Sequence, residues 1–241
     1  MRLPLTLPHP PAWEQQSISS QRQSWRAAGR LVASMQALTD QSVQVVQRVV
    51  DGNDFIEWEH YPDNDVRDQR HASQYFYHAH PGLQRPFSAP PEHGHFHLFA
   101  DAGKLGMRPA NPGYAAAPAH LLAISMDATG VPNGFFIVNR WVTKGPWLSY
   151  AHCARALQQF QIQGRQGDKH VNRFLQALIT LYQAPILALL QQREQIMQTL
   201  SNGRDRRSVF ADKSIEVLCY HPIQLMDDIA ALEAVMQNNP H

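Results

Sequence analysis

The 241 residues contain only two cysteines, Cys153 and Cys219, which form neither a CxxC pair nor any other metal-ligand spacing. We therefore expect both thiols to be reduced and packed, with no thiolate-rich zinc site. No stretch approaches the roughly 18 consecutive apolar residues that span a bilayer. Residues 1–18 are interrupted by proline where a secretory signal needs an unbroken apolar segment. These absences predict a cytoplasmic protein with an irregular N-terminal arm.

The sequence also lacks an excess of either charge. Lysine and arginine total 21 against 20 aspartates and glutamates, which gives a formal net charge of +1. From so small a charge we expect no nucleic-acid partner and no attraction to an anionic membrane. The hydrophobic share of 44% and the aromatic share of 9% are enough for an ordinary buried core. Because there is no internal repeat and no long linker, residues 1–241 are predicted to form a single domain.

Several common catalytic motifs are missing as well. The sequence has no GxSxG elbow, no P-loop, no GxGxxG turn and no HExxH helix. The sequence therefore contains none of the motifs that usually indicate a serine hydrolase, a nucleoside triphosphatase, a dinucleotide-dependent enzyme or a zincin-type protease. The strongest functional signal that is present is a concentration of histidine in the middle of the chain.

The apolar spacing predicts helices in the first part of the chain and strands in the middle. Over residues 20–50 the apolar positions recur every three to four residues, which is the period of an amphipathic helix. Residues 54–145 contain short runs of aromatic and branched side chains that are typical of strands. The first of these runs, "FIEWEHYP", is expected to end at Pro62. The connections are too short for crossover helices, so we expect a mainly antiparallel sheet of about five strands.

Helical spacing returns over residues 147–237. One long helix is expected to bend at Pro185, because proline removes a backbone hydrogen bond. A short strand over "IEVLCYHPI" interrupts this part. The sequence therefore predicts an α+β fold, a mainly antiparallel β-sheet flanked by N-terminal and C-terminal helices. The long helix could also contribute the face of a homodimer.

Five histidines occupy alternate positions in two neighbouring strand segments. "QYFYHAH" contains His78 and His80, and "EHGHFHLF" contains His93, His95 and His97. Alternate residues of a strand project from the same face. If the two segments pair so that paired residue numbers sum to an odd value, as with His78 beside His95, all five share one surface. Two or three imidazoles can then bind one ion at about 2.0 to 2.1 Å, so we predict a metal site at these residues.

Acidic residues near these strands could complete the site. Metal-bound histidines usually donate their other ring N–H to a carboxylate or a carbonyl. Asp65, Asp68 and Glu92 are the candidate catalytic residues, each able to act as a base, a ligand or an orienting group. Asp63 and Asp101 are also eligible as orienting groups, as are Glu57 and Glu59 on one face of the first strand, and the sequence does not choose among these acids.

The predicted cofactor is a divalent transition metal, namely zinc, iron or copper, since imidazole binds all three. Three histidines with an open position could activate water, whereas two histidines and a carboxylate could hold Fe(II) for oxygen chemistry. The leading interpretation is a mononuclear metalloenzyme, a hydrolase or an oxygenase that acts on a small molecule. The alternatives are a non-enzymatic module that binds or senses metal or haem, and a structural ladder of hydrogen-bonded histidines.

The combination of "WEHYP", "QYFYHAH", "EHGHFHLF" and "GFFIVNRW" resembles an uncharacterised bacterial family, one of the domains of unknown function. The resemblance covers residues 55–145 and, more weakly, the helical remainder. It implies that the five histidines act as a unit. It implies no activity.

Overall fold

A seven-stranded sheet organises the protein, and the long helices pack on one of its faces. The α+β fold predicted from the sequence is confirmed. The computed structural model describes residues 5–7, 9, 11–52, 56–79, 91–110, 117–163 and 166–238. In chain order the elements are β1 (Leu5–Thr6), a single turn of 3-10 helix (Trp13–Gln15), α1 (Ile18–Thr39), α2 (Val45–Val50), β2 (Tyr61–Asp68), β3 (Ser73–His78), β4 (Gly94–Ala100), β5 (Ala119–Met126), β6 (Pro132–Val138), α3 (Arg140–Thr143), α4 (Tyr150–Gln158), α5 (Lys169–Leu181), α6 (Gln183–Leu200), α7 (Arg206–Phe210), β7 (Val217–Pro222) and α8 (Leu225–Asn238).

Six of the strands form an antiparallel sheet, and the seventh is a short edge strand. The order across the sheet is β1-β7-β6-β5-β4-β3-β2, and β1 alone runs parallel to its neighbour. β1 falls within the segment predicted to be an irregular arm. Just after it, the backbone N–H of Leu7 donates to the carbonyl of Tyr220 at 2.8 Å. The arm is therefore attached to the edge of the sheet.

The first long strand differs from the one predicted to end at Pro62. β2 begins at Tyr61, includes Pro62 and continues to Asp68, while residues 56–60 form a turn and irregular backbone. Proline has no backbone N–H to donate to a neighbouring strand. It is tolerated in β2 because β2 is an edge strand, with a neighbour on one side only. Phe55, the first residue of the predicted strand, lies outside the described residues.

The long C-terminal helix is interrupted close to its proline. α5 ends at Leu181 and α6 begins at Gln183, and the two helices are bent by 72°. Pro185 is in the first turn of α6, where backbone N–H groups have no intrahelical partner and a missing one is tolerated. None of the described helices is long and apolar enough by itself to cross a membrane; α5 and α6 meet that test only when joined across the bend.

The two faces of the sheet have different surroundings because side chains alternate along each strand. Tyr75, Tyr77, Phe96 and Leu98 belong to the main hydrophobic core beneath the helices. The even-numbered residues of β3 and the odd-numbered residues of β4 project from the opposite face. That face also carries a smaller apolar cluster of Ala123, Phe136, Val138, Val217 and Tyr220. The histidine-bearing surface is thus bordered by buried apolar side chains.

Candidate metal centre

The β3/β4 hairpin places three of the predicted histidines on one face of the sheet. His78 pairs with His95, and Phe76 pairs with His97, so paired residue numbers sum to an odd value. This is the register for which the sequence predicts a shared surface. His78, His95 and His97, which we call the three-histidine cluster, therefore project from the same side.

The Nε2 atoms of the three-histidine cluster converge. Nε2 of His95 lies 2.8 Å from Nε2 of His78 and 3.1 Å from Nε2 of His97. The rings meet edge to face, and the side chains offer one nitrogen each within 4.8 Å of the others. His95 and His97 are 1% and 2% exposed. The cluster could hold a metal ion on the antiparallel sheet.

The outer ring nitrogens of two cluster histidines have polar partners. Nδ1 of His95 lies 2.9 Å from Oε1 of Glu92, whose side chain is buried. Nδ1 of His97 lies 3.0 Å from Nε2 of His120. A carboxylate that accepts the Nδ1 proton fixes the orientation of the ring and directs the Nε2 lone pair of His95 into the cluster. Of the three acidic candidates, Glu92 is the one that contacts a cluster histidine.

His120 is part of the site and was missed by sequence reasoning. His120 of β5 pairs with Phe99 of β4. Because His97 pairs with Ala123, strict alternation along β5 would place the side chain of His120 on the helix-facing side of the sheet. The register shifts by one residue between these two pairs, and this bulge returns His120 to the histidine face. Desolvation, together with the charge of Arg193, lowers the pKa of His120 to about 3, so its ring is neutral at pH 7.

A further histidine and carboxylate pair lies beside the cluster. The ring of His60 stacks on Phe76 with 3.6 Å between centroids and meets His78 edge-on at 5.7 Å. Nδ1 of His60 lies 3.0 Å from Oδ1 of Asp65, which has a positive φ within a bulge of β2. Desolvation raises the pKa of Asp65, but the hydrogen bond and charge of His60, together with Arg67 and Gln74, outweigh it and lower the pKa. Asp65 is therefore connected to the cluster through His60.

Phenylalanine rings surround the cluster within the sheet face. The ring of Phe136 lies 5.2 Å from that of His95, and the ring of Phe76 lies 5.2 Å from that of His97, measured between centroids. Phe99 stacks on Phe76. An apolar shell of this kind restricts solvent and lowers the local dielectric constant around a metal site.

Of the predicted histidines that the structure describes, His93 is the one that it does not bring into the cluster. His93 precedes β4, and its Nδ1 lies 2.7 Å from the hydroxyl of Tyr77, a residue of the helix-facing core. His80 lies outside the described residues. Of the additional carboxylates, Glu57, Glu59 and Asp63 are exposed, and Asp101 follows the end of β4 farthest from the cluster.

Asp68 has a different setting from the other acidic candidates. It lies at the far end of β2, where its strand partner on β3 is about 16 Å along the strand from His78. Its carboxylate accepts backbone N–H groups of Arg70, His71 and Gln163 and lies 3.0 Å from the ring Nδ1 of His71. Burial raises the pKa of Asp68, but these donors outweigh it and bring the pKa to about 2. The carboxylate therefore organises a turn.

Replacing Asp68 by asparagine is expected to lower the free energy of unfolding at pH 7 by about 1 to 3 kcal/mol, because buried N–H donors lose a charged acceptor. The pKa of Asp68 is lower in the folded protein than in the unfolded chain. The contribution of the ionised Asp68 carboxylate to the free energy of unfolding is therefore complete above about pH 4 and is lost as the pH falls through about 2. Urea unfolding of both proteins across this range measures the effect. A difference between them that did not shrink in acid would contradict this role.

Residues 25–223 match a family described as a domain of unknown function, DUF6969. The chain belongs to this family. The match extends from α1 to the end of the sheet, so the DUF6969 region includes the helices that support the histidine-bearing strands as well as the strands themselves. No curated protein and no solved structure matches the chain. The chemistry of this DUF6969 domain therefore has to come from the geometry of its site.

Proposed function

We propose that the protein binds one divalent transition-metal ion through Nε2 of His78, His95 and His97. The convergence of these three nitrogens is the observation that carries the proposal. Metal–imidazole bonds of about 2.0 to 2.1 Å in a tetrahedral site hold ligand nitrogens about 3.3 to 3.4 Å apart. Small rotations of the rings would take the nitrogens from their present separations to that spacing.

The arrangement of protons and lone pairs favours a cation over hydrogen bonds among the rings. A neutral imidazole has one N–H and one acceptor nitrogen. Because Glu92 accepts from Nδ1 of His95, the Nε2 atom of His95 offers a single lone pair to two neighbouring nitrogens. One lone pair makes one well-directed hydrogen bond, whereas a cation takes a lone pair from each of three rings. Metal binding therefore satisfies these buried nitrogens more fully.

We further propose that the site is catalytic and acts on a small molecule. Three protein ligands leave a position for water or substrate, as in catalytic zinc sites. A bound ion would act as a Lewis acid in a hydrolase or, if it is Fe(II), support an oxygenase. Glu92 then orients His95, and Asp65 with His60 offers a proton-accepting pair beside the cluster. Zinc, iron and copper all suit three imidazoles.

A structural ladder of histidines is the second candidate. The nitrogen contacts of 2.8 to 3.1 Å favour it, since each is within hydrogen-bond range. In such a ladder Nε2–H of His120 donates to Nδ1 of His97, and the Nε2–H groups of His97 and His78 both donate to Nε2 of His95. A haem module is less favoured, because haem iron takes axial protein ligands on separate faces of the ring and these three nitrogens converge on one point. A metal-storing or metal-sensing module would use the same ion site without an open position.

Cobalt substitution separates these candidates. The catalytic proposal predicts one Co(II) per chain and a visible spectrum that changes when azide is added, because azide enters an open coordination position. Tight Co(II) binding with a spectrum that azide leaves unchanged would favour a storing or sensing module. If no Co(II) binds to folded protein, the ladder is the correct account.

Replacing Glu92 by glutamine should weaken Zn(II) binding about 10- to 100-fold, since losing an outer carboxylate usually has an effect of this size. Competition with a fluorescent chelator measures the dissociation constant. Asp101→Asn is a matched control, because Asp101 flanks the same strand at its other end. Unchanged affinity in Glu92→Gln would mean that Glu92 does not orient a metal ligand.

The proposals for cellular location and binding partners rest on the sequence. We predict a cytoplasmic location and a homodimer. We predict neither a nucleic-acid partner nor a membrane partner. A small-molecule substrate is part of the catalytic proposal and shares its test.

A further inference from the structure

A groove between α1 and α5 is lined by arginine side chains. α1 packs along α5, and a cavity of about 580 Å³ lies between the two helices. A second cavity of about 510 Å³ lies along α1, and Arg30 lines both cavities. Arg22 and Arg26 extend the lining along α1, and Arg173 lines it from α5. Four arginines therefore line two neighbouring depressions, which we call the groove.

These arginines are not neutralised by the protein. Neither cavity has an aspartate or a glutamate in its lining. Among the described residues, the salt bridges involve none of the four arginines. Arg22, Arg26 and Arg30 are four residues apart on one helix, a spacing at which like charges repel. An anion in the groove would relieve that repulsion.

The floor and size of the groove suit a small molecule. Ala33, Ala37 and Ala177 line its larger cavity beside Arg30 and Arg173, and their short side chains leave space there. Its larger cavity, about 580 Å³, falls within the range of roughly 300 to 1,000 Å³ usual for small-molecule sites. The three arginines of α1 are spread over about 12 Å at the rise of an α-helix. A ligand that contacts them together carries more than one anionic group.

We propose that this groove binds a small molecule with at least two phosphate groups. The planar fork of arginine donates two parallel hydrogen bonds to phosphate oxygens, which lysine cannot do. His170 lines the same cavity and adds a ring hydrogen-bond donor. The groove lies among the helices, whereas the three-histidine cluster is on the opposite face of the sheet. The proposal is therefore independent of metal binding.

Calorimetric titration of the full chain with tripolyphosphate tests the proposal. We expect one saturable site, with affinity reduced about tenfold or more in Arg30→Gln and in Arg173→Gln, because each loses charge-assisted hydrogen bonds. Arg207→Gln is the matched control, since Arg207 is exposed on α7 away from the groove. Circular dichroism on each variant verifies that it is folded.

Several results would overturn the proposal. These are the absence of binding to the wild-type protein, an equal loss in Arg207→Gln, or a loss in His95→Ala, which would locate the phosphate at the histidines. Citrate binding as tightly as tripolyphosphate would contradict the preference for phosphate. Much tighter binding of a short single-stranded oligonucleotide would identify a nucleic-acid surface in place of a small-molecule site.

Discussion

Replacing His95 by alanine is expected to weaken Zn(II) binding on the order of a thousandfold, well beyond the 10- to 100-fold effect of losing an outer partner. His95 is central to the cluster, because its Nε2 is the atom that lies within 3.1 Å of both other ring nitrogens. Its removal leaves two histidines, which bind a divalent ion much more weakly than three. Equilibrium competition with a chelator of known affinity measures the change.

Two further variants make this result interpretable. His152→Ala removes a histidine from α4, which packs on the face of the sheet opposite the three-histidine cluster, and should leave Zn(II) affinity unchanged. His78→Ala removes a cluster ligand that is less buried than His95, so its fold is less at risk. If His78→Ala is folded and binds Zn(II) as tightly as the wild-type protein, the three-histidine cluster is not the metal site.

Replacing Asp228 by alanine is expected to lower the free energy of unfolding by about 3 to 5 kcal/mol, because it leaves buried donors without their charged partner. Asp228 is fully buried on α8, and its carboxylate accepts from the hydroxyl of Tyr182 at 2.6 Å and from Nε2 of His9 at 2.8 Å. Burial and the charge of Asp228 raise the pKa of Tyr182 well above its usual range, which keeps the hydroxyl protonated as a donor. Urea unfolding at pH 7 measures the loss.

The neighbouring residue supplies the control for this substitution. Asp227 is exposed in the same first turn of α8, so Asp227→Ala should change stability by less than about 0.5 kcal/mol. A large stability loss in Asp228→Ala alone would support a stabilising link, through this carboxylate, between the N-terminal arm, the junction of α5 and α6, and α8. Equal small losses in both variants would mean that this buried network contributes little.

The helices and the main strands could be predicted because their signals are local. α1 contains apolar residues at the helical period, and β4 and β5 are short apolar runs bounded by segments that contain glycine and proline. The shared face of His78, His95 and His97 also followed from alternation, once an odd-sum register was assumed. Local patterning thus accounts for the three residues that form the cluster.

The missed parts of the site depend on irregularities that the sequence does not mark. His120 reaches the histidine face only through a bulge between β4 and β5. Asp65 reaches His60 through a bulge in β2 where its backbone has a positive φ. His93 lies before the first residue of β4, so strand alternation does not govern it, and its ring contacts Tyr77 instead. Pairing shifts are set by tertiary packing, which periodicity does not capture.

Elemental analysis of the untagged protein tests the central claim most directly. The protein is expressed in medium that contains iron, zinc, copper, manganese and nickel, and the wild type is compared with His95→Ala and His152→Ala. We predict about one equivalent of a transition metal per chain in the wild type and in His152→Ala, and a near-complete loss in His95→Ala. Folded wild-type protein that contains no metal and takes up none on addition of Zn(II) would contradict the account.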